Sequence, residues 1–200
     1  MDLEKRWIDF WFARGAHRNL AEDAYQRLEK AYTAAGRYYY NFDHIRYRLQ
    51  LLDQIEIDRQ NEQVELALWY NRVEHDDEEL SAIFAQNDLL RLWRPAILWF
   101  AVPNIIRTKH SGNARSPNSK LRCDIDLASY GESWERFDAN NKAIRQEFFR
   151  KEEGTFWQER VEFFQTLLVR SNIYYLRFFR DRYEAQARRN LTRAIAQLKA

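Results

Sequence analysis

Helix-breaking residues are scarce in this chain: 200 residues contain 5 Gly and 3 Pro. Inside a helix Gly costs about 1 kcal/mol and Pro about 3 kcal/mol relative to Ala, so their rarity leaves long tracts free to be helical. Those tracts repeat apolar residues at helical spacing and show no strand-like alternation. Leu3, Trp7, Phe10 and Trp11 form one stripe. Leu20, Ala24, Leu28, Tyr32 and Ala35 form the next, with Asn19 as the expected N-cap, Glu22 three residues on and Gly36 as the expected stop.

The segment Arg37-Tyr38-Tyr39-Tyr40-Asn41-Phe42-Asp43-His44-Ile45 reads as a turn entering a helix that buries Ile45, Leu49, Leu52 and Ile55. Asn61 is placed to cap the helix after it. That helix carries Leu66-Ala67-Leu68-Trp69-Tyr70, apolar on nearly every side, which suits the centre of a bundle. Asp77, Glu78 and Glu79 lie where acids favour a helix start. Pro95 is expected to open the next helix and Pro103 to kink it. Residues 111–120 read as a loop. Trp134, Phe137, Ile144 and Phe148 then suggest a helix, and Gly154 interrupts the pattern. Phe164, Leu167, Leu168, Ile173, Ala187, Leu191 and Ile195 continue it. The fold class expected is all-α, a single-domain helical bundle over residues 1–200.

Hydrophobic residues make up 46% and charged residues 31%, which is the balance of a folded chain. Net charge is +2, too balanced to imply a nucleic-acid partner by itself. Cys123 is the only cysteine, so no internal disulfide forms and a reducing cytoplasm is the expected location. Charges at Asp2, Glu4, Lys5, Arg6 and Asp9 argue against a signal peptide. The apolar run 96–102 is far short of the ~20 residues that span a bilayer, so no membrane partner is expected.

Six short motifs occur in one order. They are Tyr39-Tyr40-Asn41 with His44-Ile45, Leu66-Ala67-Leu68-Trp69-Tyr70-Asn71-Arg72, Asp76-Asp77-Glu78-Glu79, Thr108-Lys109-His110, Asp124-Ile125-Asp126-Leu127 with Gly131, and a C-terminal pair. The pair is Ile144-Arg145-Gln146-Glu147-Phe148 and Ala187-Arg188-Arg189-Asn190-Leu191. In this order the chain resembles a bacterial family of predicted phosphohydrolases of the HD superfamily. The resemblance implies an HD-type helical bundle in which imidazoles and carboxylates from separate helices hold a divalent metal. Such a metal lowers the pKa of its bound water and polarises phosphoryl oxygens.

The chain departs from that pattern at its centre. Asn71 stands for the family's His, Arg72 for its Asp, and Tyr40 for the His of the turn; the stretch between Arg72 and Asp77 is shortened. An amide oxygen is a poor ligand for a transition metal. A dication and a guanidinium about 5 Å apart repel by roughly 6–7 kcal/mol at an effective dielectric near 20. Hence the expectation is a pseudoenzyme that binds a phosphate-containing ligand or a protein partner, with no cofactor. Arg72, Asn71, Lys109 and His110 are the candidate ligand-binding residues, and Arg72 is a candidate partner for Asp124 or Asp126.

One alternative is an active phosphohydrolase for a nucleotide or small phosphate ester. His44, His110, Asp124 and Asp126 would then be the ligands of a divalent metal, with Arg72 on the phosphate. The literal pair His75-Asp76 is a further way to rebuild a site. A second alternative is a nucleic-acid-binding module built on Arg177, Arg180, Arg182, Arg188, Arg189, Arg193 and Lys199, with Tyr174, Tyr175, Phe178, Phe179 and Tyr183 interleaved. Against it stands the bland reading of a solvated basic helix face.

Overall fold

A computed structural model describes residues 1–55, 61–74, 77–92, 96–107 and 114–198; for Asn61 and residues 96–100 it describes the backbone. Every element among these residues is helical, so the chain is all-α. Where the sequence is read as one domain, the helices group into two compact units, residues 1–108 and 109–200.

The first unit contains α1 (Leu3–Phe12), α2 (Arg18–Tyr32), α3 (Phe42–Asp53), α4 (Asn61–Tyr70), α5 (Glu78–Arg91) and α6 (Ala96–Arg107). As the apolar run predicts, α4 is the central helix. Leu66, Ala67, Leu68, Trp69 and Tyr70 are all 0% exposed, and α4 packs against α3, α5 and α6. Trp7 of α1 meets Trp11, Trp69 and Tyr70 edge to face at 5.5, 5.2 and 5.8 Å between ring centres. Its indole N–H donates to the Ala21 carbonyl at 2.9 Å, so this buried ring has its polar group satisfied.

The second unit contains α7 (Pro117–Leu127), a 3-10 turn (Ala128–Gly131), α8 (Trp134–Glu147), α9 (Glu153–Leu168), α10 (Arg177–Phe179), a π turn (Arg180–Glu184) and α11 (Ala185–Leu198). Tyr130, Phe137 and Phe164 form its aromatic centre. At Gly131 the 3-10 turn runs directly against the π turn. A Cβ there would stand 2.5 Å from the Tyr183 Cβ and 2.7 Å from its carbonyl oxygen.

Several boundaries differ from the sequence reading. The cap of α2 is His17, with no side-chain bond, rather than Asn19, which lies within the helix. That helix ends at Tyr32, before Gly36, whose φ of +93° serves the following turn instead. The expected loop 111–120 gives way to helix at Pro117. Ser116 accepts from the Ser119 amide, and Pro at the first position forfeits no helical hydrogen bond. Gly154 does not interrupt a helix: it lies in the first turn of α9, where the Glu152 carboxylate accepts from the amides of Gly154 and Thr155. Pro103 lies inside α6. Pro95 and the residue before Asn61 lie outside the described residues, and Asn61 itself is the first residue of α4.

Candidate functional site

The end of α4 is where the resemblance puts its chemistry. A helix leaves its last carbonyls without amide partners, and this end is buried, so other donors have to meet them. The donors come from α2, α3 and the turn between those helices. The Tyr32 hydroxyl donates to the carbonyls of Trp69 and Asn71 at 2.8 and 3.0 Å. Arg37 donates to the carbonyls of Arg72 and Val73 at 2.7 and 2.6 Å. Arg48, 0% exposed, donates to the Asn71 Oδ1 at 3.2 Å and reaches the Leu68 carbonyl at 3.5 Å. Burial pushes the Tyr32 hydroxyl well above its ordinary pKa, which keeps it a donor.

Cations suit this place for a second reason: a helix C-terminus carries a partial negative charge. Arg48 lies three residues after Ile45, on the buried face of α3. Its spacing was visible in the sequence, but an arginine on a buried stripe is easily read as a break in the stripe.

Asn71 is 3% exposed. Its Nδ2 finds no hydrogen-bond partner among the described residues. Arg72 turns the chain with φ at +68°, in the left-handed region where Gly, Asn and Asp are at home. A larger side chain pays about 1–2 kcal/mol for that backbone. The Arg72 guanidinium lies over the Tyr40 ring, 5.3 Å from its centre, and pairs with Glu78 at 3.2 Å. Tyr40 in turn meets His44 edge-on at 5.3 Å, and Tyr39 lies 4.6 Å from the same imidazole. So Tyr40, His44, Asn71 and Arg72, far apart in sequence, do converge in the first unit.

Lys109, His110 and the pair His75-Asp76 lie outside the described residues. Asp124 and Asp126 belong to the second unit. Asp124 is 0% exposed and accepts from the Tyr175 and Leu176 amides at 2.8 and 2.7 Å, one on each oxygen. Burial pushes its carboxyl up to about 7, against the pull of those two amides. Glu184 accepts beside it from the amides of Ile173 and Tyr174. Together the two acids clasp residues 173–176. Asp126 pairs with Arg122 along α7 at 3.1 Å.

Metal coordination fits this end of α4 badly. Asn71 Oδ1, the oxygen a cation would need, already faces the buried guanidinium of Arg48. Among the described residues no three His, Cys, Asp or Glu side chains group so as to hold a metal ion.

The C-terminal arginines separate into two sets. Arg177 pairs with Asp181, Arg180 donates to the Tyr175 carbonyl, and Arg188 serves Glu184 and the carbonyls of Leu168 and Arg170. Arg182, Arg189 and Arg193 are exposed. Tyr174, Phe179 and Tyr183 are buried and out of reach of a base, which corrects the wider aromatic set read from the sequence. Lys199 lies outside the described residues.

No helix among the described residues is long and apolar enough to cross a membrane. No family model, curated protein or solved structure matches the chain.

Proposed function

We propose that this chain is a degenerate HD-type helical protein that binds a phosphate-containing ligand at Arg72 and does not hydrolyse it with a metal. One observation carries the reading. Arg72 occupies a left-handed backbone position that would suit Gly or Asn better, and its guanidinium projects over Tyr40. Strain of this kind persists where a side chain is needed. Glu78 holds the guanidinium at 3.2 Å. A phosphate brings more charge and a matching bidentate geometry, so it can displace a half-exposed carboxylate. Asn71, whose Nδ2 has no hydrogen-bond partner among the described residues, lies next in sequence and can add a donor.

The absence of hydrolysis follows from charge. Arg37, Arg48 and Arg72 gather at the end of α4, where the family chemistry would need a dication. The test is thermal-shift and calorimetric titration with inorganic phosphate, pyrophosphate and nucleoside triphosphates, comparing the natural chain with Arg72→Gln. Binding that is lost in Arg72→Gln supports the proposal. Stoichiometric manganese, iron, nickel or zinc in chelator-free protein, together with chelator-sensitive hydrolysis of a phosphate ester, would favour an active phosphohydrolase instead.

A further inference from the structure

The two units differ in charge. In residues 109–200 Lys and Arg outnumber Asp and Glu by 18 to 12, whereas in residues 1–108 Asp and Glu lead by 18 to 14. Much of the excess in the second unit lies on one helix. From Ala185 to Leu198, α11 carries Arg188, Arg189 and Arg193 and no acid. Glu184, just before it, is turned inward onto the amides of Ile173 and Tyr174.

Helical geometry sorts these residues. Ala187, Asn190, Leu191 and Ala194 are buried. On α11 Gln186, Arg189 and Arg193 follow one another at spacings of three and four residues, so they form a single line on its outer side, with Arg182 before it in the π turn. At 1.5 Å per residue the line from 186 to 193 runs about 10 Å, and Arg182 in the π turn extends it, enough for consecutive phosphates.

Aromatic rings flank both ends of the line. The Arg193 guanidinium lies 3.9 Å over the half-buried Trp134 ring. The Arg182 guanidinium lies 5.4 Å over the half-buried Phe178 ring. Arg189 is held by Gln186, with its Nε 3.1 Å from the amide oxygen. Glu135, at the start of α8, lies within Coulombic reach of Arg193. The exposed Arg193 guanidinium, already ordered by stacking on Trp134, can receive a base on its other face.

We infer that the outer face of the π turn and α11, from Arg182 to Arg193, binds single-stranded nucleic acid, with the arginines on successive phosphates and the Arg193–Trp134 stack receiving a base. A lipid surface fits less well, because the apolar side of α11 is already buried within its own unit. An acidic peptide would have no use for the stacked rings. The inference does not depend on the phosphate site at Arg72.

The test is fluorescence anisotropy of the full chain with a labelled 20-nucleotide RNA and DNA of mixed sequence, from 20 to 200 mM salt. Parallel measurements use polyglutamate and phosphatidylserine-containing vesicles. The expected result is salt-dependent binding of the oligonucleotide. Arg189→Gln with Arg193→Gln should weaken it at least tenfold at low salt and reduce the slope of log affinity against log salt by about 1.4, at about 0.7 per phosphate contact. Arg177→Gln removes an exposed cation that is paired with Asp181, and should change binding less than twofold. No binding at 20 mM salt, equal loss from Arg177→Gln, or equally tight binding of polyglutamate or vesicles would overturn the inference.

Discussion

The Arg48 guanidinium donates to the side-chain oxygen of Asn71 at 3.2 Å, inside the helical unit formed by residues 1–108. Arg48 is 0% exposed and Asn71 is 3% exposed. Asn71, which stands where the resemblance would place a His, is thereby tied to a residue outside all of the motifs. Asn71 supplies an acceptor for a buried cation, a role that a neutral imidazole fills less well and a metal-bound one cannot fill.

Installing the His-Asp pair that the resemblance would place here should therefore not create a metal site. Asn71→His with Arg72→Asp is expected to fold less stably and to carry no manganese, iron, nickel or zinc by elemental mass spectrometry. Stoichiometric metal in that double variant would contradict the role given to Arg48.

Arg48→Met should destabilise the protein by about 1.5–3 kcal/mol, the usual worth of a hydrogen bond to a charged group, since it strips a donor from the end of α4. Urea midpoints followed by tryptophan fluorescence would report it, because Trp69 lies in the same helix and packs against Trp7.

Arg72→Gly should do the opposite. Relief of the left-handed backbone, with φ at +68°, is expected to offset the loss of the Glu78 ion pair and leave the protein as stable or up to about 1 kcal/mol more stable. The same variant should lose its thermal shift with phosphate or pyrophosphate. Loss of stability with ligand response intact would reverse the assignment.

Gly131→Ala tests the packing of the second unit. The new methyl would meet the Tyr183 backbone, with the Cα at 2.8 Å, and backbone cannot swing aside. Overpacking of this kind costs typically about 1–3 kcal/mol. The urea midpoint should fall accordingly, whereas an unchanged midpoint would mean that the π turn can shift freely.

Asp124 makes stability depend on pH. Its folded pKa, pushed up to about 7 by burial, lies above the 3.8 of the free side chain. Between these values the folded state binds more protons than the unfolded one, so stability falls as pH rises from about 4 to 7 and levels off above. Urea midpoints of the natural chain and Asp124→Asn, taken from pH 4.5 to 8, should show the natural chain losing ground to the variant as pH rises. Parallel curves would mean that the amides of Tyr175 and Leu176 hold the carboxylate ionised throughout.

Much of this protein was determined by its sequence alone. Few helix breakers and a 3.6-residue apolar period dictate an all-α chain, because each helix satisfies its own backbone and needs only one buried face. The run from Leu66 to Tyr70 marks α4 as central for the same local reason: a helix apolar on every side has no stable place at a surface. The line of Gln186, Arg189 and Arg193 is likewise a matter of spacing, although only the packed unit decides that Arg180 and Arg188 turn to internal partners.

The tertiary structure decided what the polar residues do. No local pattern says that Tyr32 from α2, Arg37 from the turn between α2 and α3 and Arg48 from α3 meet at one helix end. They do so because that end is buried and its carbonyls require donors from elsewhere in the chain. Asp124, a metal-ligand candidate in sequence, becomes a backbone clasp because residues 173–176, some fifty positions later, bring it two amides. Helices follow from neighbours in sequence, whereas the pairing of buried polar groups follows from which helices the core brings together.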